Sequence, residues 1–161
     1  MNRKKKLKIG IIGLGKMGLM HFNVLKILNN FEIVFVADIK NKKNIEKNLF
    51  TKNFRNKLDQ IDAAIIATPT STHFNIIKIV GKKVKNIFVE KPLTHNFITT
   101  QKIINFCKSN KINLKIGFIE RFNPVVSTVK KMLKNNTKII STDFLRIDSY
   151  NSRIKDARSE E

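Results

Sequence analysis

Leu7-Lys8-Ile9-Gly10-Ile11-Ile12-Gly13-Leu14-Gly15-Lys16-Met17-Gly18 is the stretch whose reading decides the fold. Its first six residues are an apolar run carrying one lysine, the pattern of a buried strand. The glycines at 13, 15 and 18 are spaced G-x-G-x-x-G. Beyond them Leu19, Met20, Phe22, Val24, Leu25 and Leu28 supply the apolar positions of a helix. A second apolar run, Ile33-Val34-Phe35-Val36-Ala37, leads to Asp38, twenty positions after Gly18. Strand, glycine turn, helix, strand and acid in that order form the pattern of a dinucleotide-binding turn. Gly13 permits the tight turn, Gly15 lets the backbone approach a pyrophosphate, and Gly18 lets helix and strand pack closely. The helix start offers unpaired N–H groups and partial positive charge to phosphate, and Asp38 stands where the adenosine ribose would need an acceptor.

Outward from this unit the alternation continues. Met1 to Lys6 is a basic leader, Ile39 to Leu49 reads as a short exposed helix, and Phe50 to Phe54 reads as a short strand. Asp62-Ala63-Ala64-Ile65-Ile66-Ala67 is a buried strand, followed by the polar loop Thr68-Pro69-Thr70-Ser71-Thr72-His73 and a helix from about Phe74 to Gly81. Asn86-Ile87-Phe88-Val89 is the next strand and ends in Glu90-Lys91-Pro92. Thr94 or Asn96 can cap a helix running to about Ser109, and Leu114-Lys115-Ile116-Gly117 is a further strand. Strands alternating with helices predict an α/β fold, a Rossmann-type doubly wound parallel sheet covered on both faces, with ligands outside the carboxyl ends of the strands. After Gly117 the pattern changes to one helix, Val125 to about Lys134, and one strand, about Lys138 to Ile147, before a polar tail. The expected domains are therefore 1–117 for the dinucleotide, 118–147 for a short remnant of a second α+β domain, and 148–161 for the tail.

The 161 residues carry 32 Lys and Arg against 12 Asp and Glu, a net charge of +20. This invites a nucleic-acid reading. Against it, Lys, Ile and Asn (26, 24 and 19 residues) dominate the chain and Ala occurs five times. A/T-rich coding accounts for that bias without a partner. The basic residues are also scattered, and only six of them are arginine. Non-specific attraction to polyanions is expected and a specific nucleic-acid site is not. The single cysteine, Cys107, lies on an apolar helical face, which points to packing, excludes a disulfide framework and suits the cytoplasm. The apolar stretch behind the leader, about seven residues, is too short for a signal peptide or a membrane span, and no membrane partner is expected. No metal site is expected.

Four loops at strand ends, Gly13 to Gly18, Ala67 to His73, Glu90-Lys91-Pro92 and Gly117-Phe118-Ile119-Glu120-Arg121-Phe122-Asn123-Pro124, occur in register along the chain. Together they resemble the glucose-fructose oxidoreductase/inositol dehydrogenase (Gfo/Idh/MocA) family of NAD(P)-dependent oxidoreductases acting on sugars and cyclitols. The Glu-Arg-Phe-Asn-Pro stretch is most similar to the nucleotide-sugar branch, such as UDP-N-acetylglucosamine 3-dehydrogenases. The resemblance implies that Gly13, Gly15, Gly18 and the backbone around Lys16 and Met17 cradle the pyrophosphate while Asp38 holds the adenosine ribose. It implies that Thr68, Pro69 and His73 line the nicotinamide side, with Glu90 and Pro92 near the nicotinamide ribose. It makes Lys91 the catalytic group at the substrate hydroxyl, and puts Arg121 and Asn123 at the start of the substrate pocket. The implied cofactor is NAD, with NADP possible, and the implied substrate is a sugar or nucleotide sugar.

Each assignment has a plainer reading. Thr68 and Thr72 could cap the following helix, and His73, His21 and His95 could be surface residues. Lys91 could be one solvated lysine among many, and Arg121 could pair with Glu120. The sequence also departs from the family beyond Arg153-Ile154-Lys155-Asp156. There the relatives, about twice as long, carry an Asp-x-x-x-His segment with a proton-relay histidine and a large second-domain sheet. The expectation is an NAD(P)-binding oxidoreductase chain that is truncated and weakly active or inactive alone, and that forms a homo-oligomer or joins a subunit supplying the missing half. The alternative is a non-catalytic NAD-binding subunit acting through a protein partner.

Overall fold

The computed structural model describes residues 5–40 and 45–133, together with the single positions 138, 141, 143 and 145. Among them, six strands form one sheet: β1 (Leu7–Ile12), β2 (Phe31–Ala37), β3 (Phe50–Thr51), β4 (Ala63–Ile66), β5 (Asn86–Val89) and β6 (Asn113–Ile116). Every neighbouring pair is parallel, in the order β3-β2-β1-β4-β5-β6. Four helices accompany them: α1 (Lys16–Ile27), α2 (His73–Val80), α3 (Phe97–Ser109) and α4 (Pro124–Met132). The chain winds from β1 toward β3 in one direction and from β4 toward β6 in the other. Right-handed crossovers then send α1 to one face and α2 and α3 to the opposite face.

The period of two along the strands sorts the core accordingly. Ile12, Phe35, Ala64, Ile66, Ile87 and Val89 face α2 and α3, where Ile77, Val80, Ile103 and Cys107 meet them. Ile9, Ile11 and Val36 face the other way and pack with Leu14, Phe22 and Ile45. Burial pushes the Cys107 thiol pKa up, so it stays protonated and packs as a small apolar group. Asn96, rather than Thr94, caps α3: its Oδ1 accepts from the Thr99 N–H at 2.8 Å.

Two stretches differ from the sequence expectation. Residues 45–49 form a turn, and Ile45 is buried where an exposed helix was expected; positions 41–44 lie outside the described residues. The reason is the edge of the sheet: Val36 N–H donates to Leu49 O at 2.8 Å, and a turn closed on Glu46 O, rather than a helix, delivers Leu49 to the start of β3. The expected strand at 50–54 stops at Thr51, and a 3-10 helix, Phe54–Gln60, follows. Asn53 starts it by accepting from Arg55 N–H at 3.1 Å, and Leu58 buries itself beneath. Phe54 and Leu58, four apart, were the available signal.

By compactness the chain divides into two units, residues 1–119 and 120–161. In the second unit Asn123 caps α4, accepting from Val125 N–H at 3.0 Å, with Pro124 at the first helical position. The strand expected at 138–147 and the tail at 148–161 lie outside the described residues, apart from those isolated positions.

Phe35 is fully buried, and its ring lies where a β-carbon at Gly10 would have to go. Truncation therefore empties a space that no neighbour can fill without backbone movement. Phe35→Ala should cost about 3–5 kcal/mol of stability, read as a lower urea midpoint with an unchanged slope.

Candidate dinucleotide site

The glycine turn is fixed by close backbone packing. Gly13 sits at φ +99°, a left-handed conformation that favours glycine, and donates its N–H to Ala37 O at 2.8 Å. A β-carbon at Gly18 would overlap the carbonyl of Gly13, so the first turn of α1 lies directly on the turn after β1. A β-carbon at Gly15 would meet nothing within 4 Å and would point into open space. Gly15 starts α1 without a side-chain cap, and the first turn contains no acid. Its N–H groups and the positive end of the helix dipole are thus left for an anion, with Lys16 exposed beside them and Met17 half-buried. Asp38 reaches the same turn. Its Oδ2 accepts from Leu14 N–H at 2.5 Å and its Oδ1 from Lys40 N–H at 3.2 Å. A carboxylate has about four lone-pair positions, so the two backbone bonds orient Asp38 without exhausting it.

The ends of β4, β5 and β6 complete the same edge. After β4, the Thr72 hydroxyl lies 2.7 Å from both Thr68 Oγ1 and Pro69 O, turning the loop back on itself; no side-chain cap bond starts α2. His73 is only 1% exposed. Its Nε2 meets Thr68 O at 2.9 Å and its Nδ1 meets Leu93 O at 3.2 Å, so it staples the loop after β4 to the loop after β5 from inside. It is not a surface cap. Glu90, 5% exposed, directs Oε2 at Lys91 N–H, 3.2 Å away. The Lys91–Pro92 bond is cis, and both residues are exposed. Gly117 makes room for Glu90: a β-carbon there would lie 3.0 and 3.1 Å from the carboxylate oxygens.

The sheet order brings these residues into one line along the carboxyl edge: Asp38 after β2, Gly13 to Gly18 after β1, Thr68 to His73 after β4, Glu90 to Pro92 after β5. Arg121 and Asn123 belong to the second compact unit, where Asn123 also donates from Nδ2 to Glu120 Oε2 at 3.0 Å. His21 was missed as a site residue by the sequence reading. It belongs to α1, and its Nε2 lies 2.7 Å from Glu90 Oε1. His95 is exposed. Among the described residues there is no cluster of three metal-ligating side chains, and no helix long and apolar enough to cross a membrane.

A parallel sheet wound in two directions from β1, with a glycine turn at the switch point and an acid after β2, defines a dinucleotide-binding Rossmann domain. The family model GFO_IDH_MocA, described as "Oxidoreductase family, NAD-binding Rossmann fold", matches residues 7–118, and the chain belongs to that family. Myo-inositol 2-dehydrogenase of Thermotoga maritima is 28% identical over 151 residues, covering 89% of this chain and 45% of the relative. UDP-N-acetylglucosamine 3-dehydrogenase of Acidithiobacillus ferrooxidans is 25% identical over 128 residues, covering 78% of this chain and 41% of the relative. The crystal structure of a probable dehydrogenase from Thermotoga maritima superposes with a TM-score of 0.71 at 26% identity, covering 80% of this chain and 41% of that one. The chain thus spans less than half the length of these relatives.

Two substitutions separate binding from folding. Gly15→Val should abolish NADH binding measured by fluorescence while leaving the thermal midpoint within about 2 °C of wild type, because its side chain enters only open space. His73→Ala should do the reverse of a surface change. It removes the ring that donates to a loop carbonyl and leaves a void in the core, and should cost about 2–3 kcal/mol in urea unfolding.

Proposed function

We propose that this chain forms the NAD-binding part of a dehydrogenase that moves a hydride between nicotinamide and a hydroxyl-bearing carbon of a sugar, cyclitol or nucleotide sugar. The observation that carries the proposal is the single line from Asp38 through the glycine turn to Glu90-Lys91. A dinucleotide laid from the acid across the helix N-terminus continues past β4 to β5, and so brings its far end to Lys91. The bound nicotinamide supplies the hydride acceptor or donor. Asp38 accepts from the adenosine ribose, and the first turn of α1 takes the pyrophosphate through its N–H groups. Thr68, Pro69 and Pro92 form the walls beside the nicotinamide half, with His73 bracing them from beneath. Lys91, exposed at the end of β5, gives or takes the substrate hydroxyl proton. Arg121 and Asn123 contribute to substrate recognition. The free, buried Cys107 fits a reducing, cytoplasmic setting.

A second reading, a non-catalytic NAD-binding subunit joined to a partner protein, is favoured by one observation. Val125, Val126 and Met132 of α4 are exposed. Both readings expect a chain that binds NAD with little turnover of its own, and high turnover is the result that decides against the second. NADH formation over a panel of inositols and UDP-sugars should be weak or absent for the 161-residue chain, although it binds NAD. Robust turnover abolished by Lys91→Ala would establish a complete site and defeat the subunit reading.

Cofactor choice follows from Asp38. A carboxylate that accepts from a ribose diol repels a 2′-phosphate, and a hydrogen bond to a charged group is worth about 1.5–3 kcal/mol. NAD should bind at least about 10-fold more tightly than NADP by calorimetry, and Asp38→Ala should narrow the gap. Equal affinities in the wild-type chain would overturn the assignment.

A further inference from the structure

His21 stands three residues beyond Gly18 on the same side of α1. Gly18 presses that side of the helix against Gly13, and its β-carbon position is 3.6 Å from the Ala67 side chain at the end of β4. The next residues along this side therefore reach past β4 toward β5. There the alternation of β5 turns Ile87 and Val89 to the α2–α3 core and leaves Phe88 and Glu90 on the α1 face. The His21 ring meets Phe88 edge-on, with centroids 5.2 Å apart, and its Nε2 bonds Glu90 Oε1 at 2.7 Å.

Glu90 is the more demanding member of the pair. A carboxylate 5% exposed needs partners, and three features supply them. His21 takes one oxygen, Lys91 N–H takes the other, and Gly117 leaves the volume both oxygens occupy. Glu90 thus ties the helix that starts at the phosphate turn to the backbone of the residue placed at the reacting end of the edge. His21, with a side chain 22% exposed, holds that carboxylate from α1.

We propose that His21 is a positioning residue for the nicotinamide half of the cofactor, acting through Glu90. It fixes the rotamer of Glu90, and Glu90 in turn fixes the Glu90-Lys91 backbone that the nicotinamide half lies against. The adenosine half, at Asp38 and the glycine turn, is held by groups that His21 does not touch. The proposal rests on the cofactor reading above, and the two are separable by ligand.

The test compares NADH, followed by nicotinamide fluorescence, with ADP, which carries only the adenosine and pyrophosphate, followed by calorimetry, on the full chain. His21→Phe keeps a ring beside Phe88 and removes the hydrogen bond, whereas His21→Gln retains an amide N–H that can donate to Glu90. His21→Phe should weaken NADH by about 10-fold, the effect of losing one bond to a charged group, and leave ADP within about 2-fold. His21→Gln should recover most of the NADH affinity, with a thermal midpoint like that of His21→Phe. A His21→Phe chain that binds NADH as tightly as wild type overturns the proposal. So does an equal loss of both ligands, or a glutamine variant no better than phenylalanine, since a purely structural role would produce either result. Wild-type protein that binds neither ligand overturns the cofactor reading and this inference with it.

Discussion

The constraint on which the rest depends is the contact of Gly18 with the carbonyl of Gly13. No side chain fits there, so the axis of α1 is set against the end of β1 to within the size of a backbone atom. This one approach has several consequences. It aims the uncapped first turn of α1 out over the carboxyl edge, beside the N–H of Leu14 that Asp38 uses. It brings Phe22 onto Ile9, Ile11 and Val36, closing the smaller core. It also carries His21 over to β5. The glycine turn, Asp38 and buried Glu90 are thereby fixed relative to one another.

Much of this was legible in the sequence because its signals are local. The runs 7–12, 33–37, 62–67 and 86–89 are short and apolar, each bounded by glycine, proline or polar clusters, and each holds a strand in the sheet. The glycine spacing and Asp38 belong to one continuous unit of about thirty residues, the scale at which pattern reading works. The turn at 45–49 was missed because local periodicity cannot see a partner strand. Ile45 and Leu49 are four apart, as on a helix, but the Val36 N–H needs Leu49 O for the sheet ladder. Tertiary hydrogen bonding overrode a weak local preference, as it commonly does at a sheet edge.

The site divides along the same line. Residues whose places depend on backbone, such as Gly13 in its turn and Gly18 in its close packing, could be read from spacing alone. Residues whose roles depend on a distant partner could not. His21 and Glu90 are 69 positions apart, and a histidine on a helix is most simply a surface residue until the fold brings a carboxylate to it. His73 is similar: its carbonyl partners belong to the loops after β4 and β5, and neither loop by itself demands an imidazole.

Charge sharpens the point. In a chain with 32 basic and 12 acidic side chains, a lysine carries little positional information, because compositional drift can place one almost anywhere on the surface. An acid kept away from solvent is different, since burying a carboxylate is costly and drift would remove it. Glu90 is the carboxylate among the buried polar residues, and Asp38 the one whose two oxygens are both committed to backbone N–H groups at the glycine turn and the segment after β2. Both stand at carboxyl ends of strands, on either side of the switch point between β1 and β4. Acids such as Asp59 and Glu46, by contrast, pair with exposed lysines and are worth little. Among the described acids, Glu90 is buried and Asp38 half-buried, and the two stand on either side of the switch point at the carboxyl edge. Burial and backbone hydrogen bonds thus hold negative charge at the carboxyl edge of the sheet, against the basic trend of the whole sequence.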